Sequence, residues 1–154
     1  MGYTNYWKPN KQKLNTIKEF PKDMLDQMRH VAEQYNKGVM IDKTIAGPII
    51  GIELKPTTIV ITGSCEDFVF DLCKDAHTND RIGVDSWCFC KTCREDYDRV
   101  VKCFLMLLTA HGLLLSWDHD DNGNCTEHRK AVALAKKCDI PIVHRYYPAR
   151  DVAE

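Results

Sequence analysis

The chain has 154 residues, 44% of them hydrophobic and 28% charged, and its 21 basic and 22 acidic side chains leave a formal net charge of −1. These are ordinary globular proportions, so disordered and collagen-like readings are excluded. With no block of like charge, nothing steers the protein toward nucleic acid or a membrane surface. The longest apolar run, Cys103 to Leu115, is interrupted by Thr109, His111 and Gly112 and is too short to cross a bilayer as a helix. The first residues lack the basic and apolar regions of a secretion signal, and Tyr6 stands where acylation of Gly2 would need Ser or Thr. A cytoplasmic protein is expected. Eight cysteines in a chain of this size are then read as free thiols, with Cys73, Cys103 and Cys138 as small core residues.

In chain order, alternation over Gly2 to Trp7 predicts a first strand that ends at Pro9. Asn10 caps a helical stretch carrying Leu14, Ile17 and Phe20 on one side. After Pro21, Met24, Met28, Val31, Ala32 and Tyr35 recur at helical spacing until Gly38. The period then changes. Val39-Met40-Ile41, Ile49 to Leu54, Thr57 to Thr62 and Phe68 to Leu72 are β-branched or aromatic runs divided by turn residues, as in an antiparallel meander. Lys74 to Trp87 is polar and aperiodic and predicts a loop.

Thr92 followed by Glu95 has capping-box spacing, and the helix it predicts is apolar almost all round, through Val101, Phe104 and Leu108 on one side and Cys103, Leu105 and Met106 on others. Such a helix belongs in the middle of the domain. Gly112 stops it, Leu113 to Trp117 follows as a strand, Asn124 with Glu127 opens a further helix to Cys138, and Ile140 to Tyr147 predicts a last edge strand. With no repeat or linker visible, residues 1–154 read as one α+β domain: a small antiparallel sheet packed with about three helices, one central and buried.

Three constellations could carry chemistry. Cys88, Cys90 and Cys93 lie within six residues and could take zinc with Cys65, Cys73, His77 or His119 as fourth ligand, yet the paired knuckles of a structural site are missing, and the reading is that no metal is required. Cys90 beside Lys91 could instead be a nucleophile, but no base is tied to it by sequence. Asp118, Asp120, Asn122 and Gly123 resemble the first half of a calcium loop whose twelfth position is Arg129 instead of Glu, so a polar turn is preferred. Finally, Lys91, Thr92 and Arg94 at a helix start could hold a phosphate or carboxylate, although Glu95, Asp96 and Asp98 can complement the same helix end. Tyr3, Tyr6, Trp7, Trp87 and Tyr97 offer flat faces for a base or sugar.

The opening Met1-Gly2-Tyr3-Thr4-Asn5-Tyr6-Trp7, the segment Gly63-Ser64-Cys65-Glu66-Asp67-Phe68-Val69-Phe70, and Phe89-Cys90-Lys91-Thr92-Cys93-Arg94-Glu95-Asp96-Tyr97-Asp98 resemble, in this order, the signatures of a family of phage and bacterial proteins. Its members typically begin Met-Gly-Tyr-Thr-His-Tyr-Trp. Asn5 departs from the usual His, Cys93 from a frequent Ala, and Glu95-Asp96 from a frequent Lys-Pro. The resemblance brings no activity with it. It implies a phage or prophage setting and a protein that interferes with host processes in the host cytoplasm.

The function expected from these readings is a non-enzymatic binding protein for a small anionic, nucleotide-like ligand, such as a host defence signal. It would use Lys91, Thr92 and Arg94 for phosphate and Tyr3, Tyr6, Trp7 or Tyr97 for stacking, with no cofactor and no catalytic set, and oligomeric state stays open. The rivals are a hydrolase of phosphoesters or glycosides acting through Glu66, Asp67, Asp98 or Asp118, with or without a divalent metal, and a module that binds a host protein.

Overall fold

The computed structural model describes residues 2–41, 50–76, 87–121 and 125–142, with the side chains of 38–41 excepted. Strand β1 (Thr4–Pro9) is followed by a single helical turn, α1 (Lys11–Leu14), in which the Asn10 side chain accepts the Lys13 N–H as the sequence predicts. Helix α2 (Lys22–Ile41) then leads to the meander β2 (Gly51–Leu54), β3 (Thr58–Thr62) and β4 (Phe68–Asp71), paired antiparallel in that order. A short α3 (Leu72–Ala76), β5 (Cys88–Lys91), α4 (Asp98–Ala110), β6 (Leu114–His119) and α5 (Thr126–Lys137) complete the described chain. The second sheet has the order β5-β1-β6, both pairings antiparallel, so the first strand ends in the middle. This is an α+β protein, and its described residues form two three-stranded sheets in place of the one expected. No described helix is long and apolar enough to cross a membrane.

The predicted central helix is present and packs against α2, α5 and β6. Ten of its thirteen residues are buried, which explains its apolar character on every side. One aromatic chain ties the layers together: Trp7 of β1 lies 5.0 Å from Phe68 of β4, which meets Phe104 of α4 edge-on at 6.5 Å.

Several local expectations are corrected. Val39-Met40-Ile41 is the last turn of α2, because a helix already propagating adds one hydrogen bond per residue and overrides the β-preference of three side chains. Residues 88–91 form a strand, and α4 starts at Asp98 instead of Thr92. Thr92 Oγ1 donates to Asp98 at 2.6 Å, and the Glu95 N–H goes to the Thr92 carbonyl at 2.9 Å instead of to the hydroxyl, so the capping box does not form. Cys73 is exposed, while Cys103 is buried as expected. Cys65 and Cys93 are joined as a disulfide with Cα atoms 6.3 Å apart, where free thiols were expected. The turn before β4 folds over the end of β5 and brings the two backbones within disulfide reach. Of the expected loop Lys74 to Trp87, Lys74 to Ala76 belong instead to α3, while residues 77–86 with His77, the cap at Asn124 and most of the strand Ile140 to Tyr147 lie outside the described residues.

Candidate functional site: a buried polar centre beneath Arg94

Alternation along β1 turns Tyr3, Asn5 and Trp7 inward, toward the first turns of α4. There Asp98 and Lys102, one turn apart, share a helix face, and both are buried. Lys102 Nζ donates to Asp98 Oδ2 at 2.7 Å and to Asn5 Oδ1 at 2.8 Å, and Asn5 Nδ2 donates to Asp98 Oδ1 at 2.7 Å. With the Thr92 hydroxyl on the same Oδ1, the carboxylate receives three hydrogen bonds and its charge is matched by Lys102. Burial lowers the Lys102 pKa, and Asp98 opposes that shift by favouring the ammonium. The Tyr3 ring carries two cations, Lys102 Nζ 4.4 Å and the Arg94 guanidinium 4.7 Å from its centroid.

At its other end Tyr3 reaches a second group of side chains. Its hydroxyl lies 3.1 Å from His119 Nδ1 and 3.3 Å from Cys125 Sγ. His119 Nδ1 is also 2.8 Å from the Asp120 carbonyl, which can only accept, so Nδ1 carries the ring proton. The His119 ring stacks on His128 at 5.2 Å, and Trp117 tilts against both. Burial raises the Tyr3 pKa, keeping the phenol neutral, and lowers that of His119, keeping the imidazole uncharged.

These shifts give stability a pH dependence. His119 contributes stability that is complete above its ordinary 6.5 and is lost as pH falls below it, because the unfolded chain then binds the extra proton. Asp75, buried against the Asp71 N–H and the Cys88 thiol, is raised from 3.8 to about 6, mainly by burial, and acts oppositely. Its contribution is complete below 3.8 and disappears as pH rises through about 6, on the order of 2–3 kcal/mol in all. Urea titrations across this range should show the acid limb flattened by His119→Gln and the decline toward neutral pH reduced by Asp75→Asn.

Arg94 reaches Tyr3 because the chain reverses sharply just before it. The Tyr3 carbonyl accepts the N–H groups of both Thr92 and Cys93, and Cys93 and Arg94 take left-handed φ values of 55° and 62°. The turn is held from outside by Cys65 on Cys93, by Ser64 Oγ on Glu95, and by the Tyr97 hydroxyl donating to the Glu66 carbonyl at 2.6 Å. Arg94 then bonds Asp121 at 2.6 Å and Glu127 at 2.8 Å while staying half-exposed. It lines a shallow crevice with Glu95, Asp96, Asp98, Arg99, Glu127 and Lys130.

Of the predicted ligand residues, Arg94 and Tyr3 therefore meet, and Thr92 joins them from below as a fully buried partner of Asp98. Lys91 points elsewhere: it is exposed on β5 and its backbone pairs with Glu66. Trp7 is core, Tyr97 is buried against Glu66, and Tyr6 donates to Asp120. The proposed hydrolytic carboxylates go separate ways, Glu66 to the Lys91 N–H, Asp67 to the Gly63 N–H, Asp98 to Lys102 and Asp118 to the His119 N–H. The cysteine cluster also disperses. Cys88 faces Asp75, Cys93 meets Cys65, and Cys90 points at the carbonyls of Glu66 and Asp67, its thiol pushed up to about 12 chiefly by burial. Among the described residues no three His, Cys, Asp or Glu side chains group as metal ligands, and Asp120 is bound to β1 through the Thr4 N–H and Tyr6.

The residues that sequence reasoning missed are Asn5, Lys102 and Cys125, and His119 was considered only as a zinc ligand. One signal was available, since Lys102 is a charge inside the apolar stretch Val100 to Leu108, four residues after Asp98. No family model, no curated protein and no solved structure matches the chain.

Proposed function

We propose that this chain binds a small anionic molecule at the crevice beside Arg94, and that it acts by holding the ligand rather than converting it. The observation that carries this reading is the placement of Arg94, fixed in a left-handed turn, laid over Tyr3, and bonded to the exposed Asp121 and the largely covered Glu127. Exposed ion pairs contribute roughly 0–1 kcal/mol, so a phosphate or carboxylate offering a bidentate contact can replace Asp121 at the guanidinium. Arg99 and Lys130 line the same crevice. Asp98 is paired with Lys102 and Asp96 with Arg99, so Arg94 and Lys130 face Glu95 and Glu127 as the remaining charges of the lining. The stacking half of the sequence reading has less support, because Tyr3 and Trp7 are covered. Capture of a small host signal by a phage-type protein fits a site with a fixed cation.

Calorimetric titration with inorganic phosphate, pyrophosphate and mononucleotides tests this. Arg94→Ala is expected to weaken the tightest of them by about ten- to hundredfold, the loss of one charge-assisted contact, and Lys91→Ala to leave affinity unchanged. Unaltered binding by Arg94→Ala overturns the reading, and recovery of a cleaved ligand after incubation moves it to the hydrolase.

A further inference from the structure

Cys125 stands apart from the other cysteines. Cys90 and Cys103 are buried, Cys88 donates to Asp75, Cys65 and Cys93 are joined, Cys73 is exposed, and Cys138, partly exposed, lies at the opposite, C-terminal end of α5. Cys125 is partly exposed and sits at the N-cap of the twelve-residue α5, with its Sγ 3.3 Å from the Tyr3 hydroxyl and 3.9 Å from His119 Nδ1. Because the proton on Nδ1 is directed at the Asp120 carbonyl, that nitrogen has no lone pair to accept the Tyr3 hydroxyl, and among the described residues the hydroxyl hydrogen is left to point at Cys125 Sγ. The sulfur thus receives a fixed hydrogen bond from a phenol that itself lies under Lys102 and Arg94. Glu127 and Asp98 are the opposing charges nearby, and they are held by Arg94 and Lys102 respectively.

We infer that Cys125, held by Tyr3 and His119, is a nucleophilic thiol centre that undergoes exchange with small anionic disulfides. The preference for an anion rests on the Arg94 reading above, whereas the reactivity does not. In the exchange Cys125 loses its proton to solvent and its sulfur attacks one sulfur of R–S–S–R. A Cys125–S–S–R bond forms, the R–S bond to the second sulfur breaks, and the departing thiolate takes up a proton, so one small disulfide gives one mixed disulfide and one free thiol.

The test treats the folded protein with a limiting amount of dithiobis-nitrobenzoate, an anionic aromatic disulfide, and follows each cysteine by peptide mass mapping. Accessibility alone puts Cys73 first. Cys125 is expected to react roughly tenfold faster than Cys73 despite its lower exposure, Cys125→Ser to remove the fast phase, and Tyr3→Phe to slow it several-fold. Cystamine, a cationic disulfide, should lose most of this advantage at Cys125. Cys73 reacting first, or an unchanged Cys125 rate in a folded Tyr3→Phe protein, overturns the thiol centre. Should Tyr3→Phe fail to fold, the ratio of Cys125 to Cys73 in the unmodified protein decides. Equal rates with the two disulfides overturn only the anion preference, and with it the reading of Arg94.

Discussion

Replacing Lys102 with methionine is expected to destabilise the protein by about 3–5 kcal/mol, the range for removing one partner from a buried ion pair. The volume is nearly conserved, so packing around α4 changes little and the loss reports on charge. Asp98, buried among Asn5, Thr92 and Lys102, would keep its negative charge and lose its cation. Asn5 Oδ1 would lose its donor in the same step. Adding Asp98→Asn to Lys102→Met should restore a good part of the loss, because a neutral amide can keep the bonds from Asn5 and Thr92. Denaturant unfolding of the two single variants and the double variant measures the coupling directly, and near-additive effects would falsify the view that the pair acts as one unit.

Gly63→Ala should rank close behind. A Cβ at Gly63 would fall inside the van der Waals surface of the Tyr97 ring, with Cε2, Cζ and Cε1 all too near. The ring cannot swing aside freely, since its hydroxyl is bonded to the Glu66 carbonyl beneath the same turn. Overpacking of this kind costs roughly 1–3 kcal/mol or more. For a chain of this size that corresponds to a fall in Tm of about 3–12 °C. In a Tyr97→Ala background the added methyl meets open space, so Gly63→Ala should there cost little. Thermal melts of the four proteins test the steric account, and an equal penalty in both backgrounds would assign the effect to the backbone of Gly63 itself.

Periodicity made much of the fold legible. The meander could be read because β-branched runs alternate with turn residues, and α4 because no side of it is polar. The errors arose where a local preference met a stronger competitor. Val39 to Ile41 prefer strands but continue α2, and Thr92 has the spacing of a cap but spends its hydroxyl on Asp98. The site was legible only in fragments. Arg94 and Tyr3 could be nominated as residue types suited to an anion, whereas the contact between Tyr3 and Cys125 spans 122 positions and leaves no periodic trace. Cys90 looked reactive beside Lys91 because sequence spacing carries no measure of burial.

The central position of β1 bears on how the chain is made. Strands β2, β3 and β4 are contiguous, so their sheet can close through short loops while the protein is still leaving the ribosome. β1 has no such neighbour. Its partners begin at Cys88 and Leu114, so β1 must wait for synthesis of these distant segments before either side of it is paired. During that interval Tyr3 and Trp7, buried in the finished fold, remain uncovered and open to any chaperone that recognises apolar strands.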